Sequence, residues 1–256
     1  MCFFGHPSSM AMTHAWRFGH AGHHPAPPHS QRAHKFMAVK ETIATLREVV
    51  LMPRDLSAVV PTTKRGDDVV VLVHGFFASA GVFRPLKQRL ERETGAVVAS
   101  FTHAPGVGVA RIAKSLKRLV DELPTDTRVH LVGHSLGGLV SRYYVQELGG
   151  HRRVVQTISL GSPFGGTKHA DVIPIFVGRD LTTSSATLHR LRSRAGEFDI
   201  PHTSIVAGSD TVVVPTESAV FPLGDVVLLH GRGHNSLLYD RESMDAVVHR
   251  IRTCKK

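Results

Sequence analysis

The segment VHLVGHSLGGLV, residues 129–140, constrains the fold more than any other stretch of the chain. An apolar run rich in Val and Leu ends at Gly133, and a helical pattern begins at Leu136. The chain must therefore turn sharply from strand to helix at Ser135. Such a turn lifts the Ser135 side chain clear of the strand. Gly133 and Gly137 suit it because a Cβ at either position would collide with neighbouring backbone, and Gly138 lets the new helix pack closely.

The same strand-to-helix rhythm recurs from Asp67 onward. VVVLV (69–73), VVASF (97–101), VHLVG (129–133), VVQTISL (154–160), TSIVAG (203–208) and VVLLHG (226–231) read as strands. Helices are predicted over roughly Val82–Glu93, Val107–Leu123, Leu136–Leu148 and Ser236–Ile251. This alternation predicts an α/β fold with a mostly parallel sheet of about six strands, covered by helices on both faces. The chain has 256 residues, 42% of them apolar, enough for one sizeable core. Residues 165–200 break the rhythm with mixed apolar and basic content, and a short lid is predicted there. No run is apolar and long enough to cross a bilayer.

The first 36 residues differ from the rest. They are rich in His, Pro, Gly and Ser, with HAGHHPAPPH at their centre, and are expected to form a disordered tail. Their histidines lack regular spacing and carboxylate or Cys companions, so no metal site is expected. They also lack a continuous apolar h-region and a clear cleavage site, which favours a cytoplasmic location over a secreted or membrane-peripheral one. Residues 37–66 are read as an N-terminal helix and linker, ended by Pro53, and 67–256 as the main domain. In that first helix Ile43, Leu46, Val49 and Val50 form an apolar face expected to pack on the core; membrane contact is the alternative. Cys2 and Cys254 suggest two unpaired thiols.

The formal charge is +10. Arg111, Lys114, Lys117 and Arg118, and then Arg190, Arg192 and Arg194, form basic clusters read as solvated helix faces; attraction to anionic lipid is the sharper alternative. Nucleic-acid binding is not indicated, because these residues are neither interleaved with aromatics nor set in a known motif.

Four signals carry chemistry. Gly133-His134-Ser135-Leu136-Gly137 is short enough to arise by chance, but its strand–turn–helix setting makes Ser135 a candidate nucleophile. His74-Gly75-Phe76-Phe77 follows the first strand, where a backbone N–H could face a developing oxyanion. Phe76 and Leu136 are the expected donors, and His74 is expected to shape the loop. A base must be a histidine oriented by a carboxylate. His234 stands out in the loop GRGHNS before the last helix. His230 competes, but lies within a strand pattern and should be buried or at an edge; His249 should be exposed on the last helix. Asp210 follows a strand, which places it at the same sheet edge as Ser135 and His234. Asp225 precedes its strand, and Asp171, Asp180 and Asp199 belong to the predicted lid.

VVVLVHGFFAS, VHLVGHSLGGLVSRYYV, ISLGSPFGGT, AGSDTVVVP and GRGHNSLLY together resemble the successive landmarks of bacterial lipases and esterases of the α/β-hydrolase superfamily, and of GPI inositol-deacylase-like hydrolases. The resemblance covers about residues 67–252. It implies a nucleophile at Ser135, an acid at Asp210, a base at His234 and oxyanion donors at Phe76 and Leu136. It places Gly161-Ser162-Pro163 near the rim, making Phe77, Pro163 and Phe164 candidate substrate contacts. The implied function is hydrolysis of carboxylic esters, with an acyl chain favoured and no cofactor. An acyltransferase or thioesterase on the same triad is the alternative, and a non-catalytic ligand-binding protein is the alternative of another class.

Overall fold

Val69 to Val73 are all buried, yet alternate residues serve different layers. Val69, Val71 and Val73 join one apolar cluster with Ile112, Leu116, Leu139 and Val140. Val70 and Leu72 join a second with Leu86, Leu90, Val247 and Val248. A strand has a side-chain period of two, so burial on both faces requires an unbroken apolar run. In the computed structural model, which describes residues 39–47, 50, 63, 66–172 and 176–254, this run is strand β1 (Asp68–Val73).

Five more strands complete the sheet: β2 (Val97–Phe101), β3 (Arg128–His134), β4 (Val154–Leu160), β5 (His202–Ala207) and β6 (Asp225–Leu229). Their spatial order is β2-β1-β3-β4-β5-β6, and every neighbouring pair is parallel. The strands of the expected six-stranded parallel sheet are thus all present. The order reverses around β1, so the loops leaving β1 and β3 diverge. The carboxyl ends of these two strands are thus the switch point of the sheet, the place where α/β sheets bind their ligands. In register, Val73 faces Gly133, which brings His74–Phe77 and Ser135 to that sheet edge together.

Helices cover both faces. α2 (Arg84–Thr94) and α7 (Arg241–Thr253) pack on one, α3 (Val109–Asp121) and α4 (Leu136–Glu147) on the other. In α3 the buried residues are Val109, Ile112, Ala113, Leu116, Leu119 and Val120, an apolar stripe at helical spacing. Each fully buried leucine there contributes about 1.5–3 kcal/mol. Arg111, Lys114 and Arg118 are exposed on the opposite side, the solvated face expected of that basic cluster. The single closing helix expected over 236–251 is instead a 3-10 turn, Asn235–Leu238, followed by α7. Asp240 restarts the chain by accepting the N–H groups of Glu242 (3.0 Å) and Ser243 (3.3 Å).

The segment expected to be a lid holds α5 (Phe176–Leu181), α6 (Ala186–Ser193) and two 3-10 turns. Leu188 and Leu191 of α6 are buried, and the Leu191 carbonyl accepts Gln146 Nε2 of α4 at 3.1 Å. Asp180 accepts the N–H of Val109 at 2.7 Å and so caps α3.

Residues 39–47 are helical (α1), but not with the expected orientation. Val39, Ile43, Leu46 and Val50 are more than half exposed, and Ala44 is the buried apolar residue among those described there. The apolar face is turned away from the core because polar residues on the opposite face dock instead. The predicted tail (1–36), Val49, Pro53 and Cys2 lie outside the described residues. Cys254 is a free thiol. No described helix is long and apolar enough to span a membrane.

Candidate active site

Ser135 stands between β3 and α4 with φ 52° and ψ −120°. A non-glycine residue in that region is strained, and the surrounding packing holds it there. Its N–H donates to the Leu160 carbonyl at 2.8 Å, which fixes the turn against β4. The glycines around it are demanded by contact. A Cβ on Gly133 would lie 2.3 Å from backbone of Gly137 and Gly138, and one on Gly137 would lie 1.9 Å from the Val73 carbonyl oxygen. On Gly138 it would lie 2.1 Å from Ser162 Oγ.

The His74–Phe77 loop lies beside this turn. A Cβ on Gly75 would meet Ser135 Cβ at 3.1 Å. Leu136 opens α4, so its N–H has no partner within the helix and is available to an anion at the helix start. Phe76 is half-buried, and its ring packs against the α3–α4 core. Phe77 has φ 56° and is 60% exposed, its ring tilted against Phe76 with centroids 4.0 Å apart.

His74 does shape the loop. Its Nδ1–H donates to the Gly75 carbonyl (2.8 Å), and its Nε2 accepts the N–H of His103 (3.1 Å), tying the loop after β1 to the loop after β2. The two rings stack at 3.8 Å. Burial, reinforced by the neighbouring His103, pushes the His74 pKa down to about 3, so the ring stays neutral.

Asp210 and His234 come together from the loops after β5 and β6. Nδ1–H of His234 donates to Asp210 Oδ2 at 2.7 Å, and both side chains are buried. The other carboxylate oxygen, Oδ1, accepts the N–H groups of Val212 and Val213, each at 2.8 Å. With Nδ1–H committed to Asp210, the remaining ring nitrogen, Nε2, is the proton acceptor. The pair reaches the Ser135 turn through two contacts. His134 Nε2 donates to the His234 carbonyl at 3.3 Å, with ring centroids 4.9 Å apart. A Cβ on Gly161, the residue after the Leu160 carbonyl that holds Ser135, would lie 3.1 Å from His234 Nδ1. Burial holds the His134 pKa well below the usual histidine value, so the ring beside His234 is neutral.

The competing residues lie elsewhere. His230 is exposed just past edge strand β6, and His249 is exposed on α7. Asp225 begins β6, at the opposite edge, and pairs with Arg250 at 2.5 Å. Asp180 is occupied at the start of α3, and Asp199 is exposed. Two of the expected substrate contacts are not brought to the rim. Pro163 is buried, and Phe164 is fully buried, packed edge-on against His202 and Phe221 with centroids 5.4 and 4.9 Å away. The chain turns inward after Gly161, so its first residue meets His234 and the ones beyond it enter the core. Sequence reasoning passed over His103 and His134, and also Glu41, which accepts backbone N–H groups next to His234. His134 lies inside the quoted motif; for Glu41 no local signal exists. Among the described residues, no group of three or more His, Cys, Asp or Glu could hold a metal ion.

Known structures share this architecture. The mature lipase BlEst2 of Bacillus licheniformis superposes with a TM-score of 0.62 at 15% identity, covering 75% of this chain and 95% of that one. Aspergillus fumigatus lipase B gives 0.60 at 19% identity, covering 75% of this chain and 55% of that one. The thermophilic carboxylesterase EstE1, cloned from a metagenomic library, gives 0.57 at 15% identity over 88% and 98%. At these identities the likeness establishes the α/β-hydrolase fold. A family model described as palmitoyl protein thioesterase matches residues 69–196, from β1 through the Ser135 turn to the segment after α6. Half of the chain is thereby matched, and the protein belongs to the palmitoyl protein thioesterase family.

Proposed function

We propose that this protein is a serine hydrolase that cleaves carboxylic esters through an acyl-enzyme on Ser135. The observation that carries this reading is the buried Asp210–His234 pair at 2.7 Å, delivered to the sheet edge where Ser135 is held in a strained turn. His234 Nε2 takes the proton from Ser135 Oγ as the oxygen attacks the acyl carbon. The N–H groups of Phe76 and Leu136 receive the negative charge that develops on the carbonyl oxygen. His234 then protonates the departing alkoxide and afterwards activates water to release the acid. Asp210 keeps the ring in the required tautomer and stabilises the imidazolium. The exposed Phe77 and the half-buried Phe76 beside the Ser135 turn suit an acyl chain.

A second reading is favoured by the family match: the scissile bond is a thioester. The same residues serve both, because a thiolate is the better leaving group and needs less protonation. A fluorophosphonate probe tests the shared part, since it labels the protein and Ser135→Ala abolishes labelling. Retained labelling in that variant would remove Ser135 from its role. Turnover of p-nitrophenyl esters and of acyl thioesters of matched chain length then separates the readings. A rate maximum at intermediate or long chains supports the acyl site, whereas activity on acetate alone overturns it.

A further inference from the structure

We infer that Glu41 is a positioning residue for His234, acting from outside the matched family region. The inference rests on the catalytic role proposed above for His234. That residue sits at the N-cap of the 3-10 turn Asn235–Leu238 but makes no side-chain cap. It cannot, because its Nδ1–H is committed to Asp210. The first N–H groups of the turn therefore need another acceptor. Glu41 supplies it from 194 positions away in sequence: Oε1 accepts the N–H of Asn235 at 2.6 Å, and Oε2 accepts that of Ser236 at 3.0 Å. One carboxylate thus grips both residues that follow the base, with charge-assisted bonds of good length.

Three observations show that the loop and α1 are fitted to each other. Gly233, just before the base, leaves room for this carboxylate: a Cβ there would lie 2.4 Å from Glu41 Oε2. Thr45, one turn after Glu41, accepts Asn235 Nδ2 at 3.1 Å. The Arg47 guanidinium lies over the Tyr239 ring, 5.4 Å from its centroid. At 100° per residue, Glu41, Ala44 and Thr45 share one side of α1, and Val39, Ile43, Leu46 and Val50 share the other. The apolar side faces outward. Among the described residues, this helix is seated by the small buried Ala44 and by its polar contacts to the His234 loop. From the other side, His134 Nε2 holds the His234 carbonyl. The base is fixed at its ring by Asp210, at its carbonyl by the Ser135 turn, and at the next two N–H groups by Glu41.

The test compares Glu41→Ala and Glu41→Gln in the full chain, with active sites counted by fluorophosphonate titration so that rates refer to folded enzyme. Loss of the grip lets the ring drift, and displacements of about 1 Å cost on the order of 100-fold in rate. Glu41→Ala should lower kcat per titrated site by about 10- to 100-fold, with KM changed less than about two-fold. Glu41→Gln keeps one carbonyl acceptor of the two and should fall between wild type and Glu41→Ala. The proton NMR signal of His234 Nδ1–H should broaden in the same order. Wild-type kcat per titrated site in Glu41→Ala, or in Glu41→Gln if the alanine variant does not fold, overturns the inference. So does a change confined to KM or to melting temperature. Ser135→Ala run in parallel separates the two levels: labelling of that variant defeats the catalytic reading itself, whereas an unlabelled Ser135→Ala beside a fully active Glu41→Ala defeats only the role of Glu41.

Discussion

Asp210 and His234 meet through one carboxylate oxygen, at 2.7 Å from Nδ1, while the other oxygen is held by the N–H groups of Val212 and Val213. The division explains what an amide would do in that position. In Asp210→Asn the amide carbonyl can still serve both backbone donors, so the loop keeps its shape. The NH2 group then faces His234 and forces the proton onto Nε2, leaving no acceptor for Ser135. We expect kcat to fall on the order of 10⁴-fold with a small change in KM. Steady-state kinetics on a p-nitrophenyl ester checks it. A loss under about ten-fold would exclude Asp210 as the orienting acid.

Asp180 provides the contrast. Its Oδ2 accepts the N–H of Val109 at 2.7 Å and its Oδ1 accepts Thr187 Oγ1 at 3.2 Å, so it caps α3 and ties α5 to the start of α6. Asp180→Ala should cost about 1–2 kcal/mol of stability and leave kcat near wild type. Denaturant titration beside kinetics distinguishes the two carboxylates. A large loss of kcat with unchanged stability would contradict this assignment.

Two glycines should respond differently to alanine. At Gly137 the added Cβ would lie 1.9 Å from the Val73 carbonyl oxygen, which is backbone of the central strand. Gly137→Ala should lose about 3 kcal/mol or more, seen as loss of soluble protein or a large fall in Tm. Gly149 has φ 80° and open space around it. Gly149→Ala should cost only about 1 kcal/mol, the penalty for a left-handed residue. Equal effects at the two sites would count against the close approach of α4 to β1.

Acid should destabilise the fold through its buried histidines. Burial pushes His74 down to about 3, and holds His134 and His202 well below the usual value, with His103, His234 and Arg142 respectively adding to the effect. Above a pH of about 6.5, folded and unfolded chains both keep these rings neutral. Below it the unfolded chain binds protons that the folded one does not, so stability falls as pH falls. Each ring contributes up to about 1.4 kcal/mol per pH unit. Chemical denaturation between about pH 7 and pH 5, with proton uptake on unfolding measured at each pH, tests this. A flat profile across that range would show the rings to be accessible.

Much of the site could be read along the chain because its parts are local. The turn at Ser135 is encoded in five residues whose glycines are required by contacts the structure now displays. Asp210 and His234 were legible from their places after strands, since in a parallel sheet every strand end of that kind lies at one edge. Phe164 was misread for lack of that frame. It follows β4 in the right loop, but packs inward against Phe221. Helix α1 was misread for a related reason. Its apolar period is genuine, yet polar contacts at 41, 45 and 47 outweigh it in choosing which side docks.

What the sequence determined alone was the alternation of buried strands and amphipathic helices, the strained serine turn, and the order along the chain of the candidate residues Ser135, Asp210 and His234. These follow from side-chain periodicity and local backbone sterics, which act over a few residues. The tertiary structure decided that Asp210 bonds His234, that His134 holds the same residue by its carbonyl, and that Glu41 grips the loop behind it. Those are contacts between segments separated by 24 to 195 positions. The parallel sheet, by gathering its strand ends at one edge, brings the His134, Asp210 and His234 segments within hydrogen-bond distance, and the docking of α1 on the last of them adds Glu41.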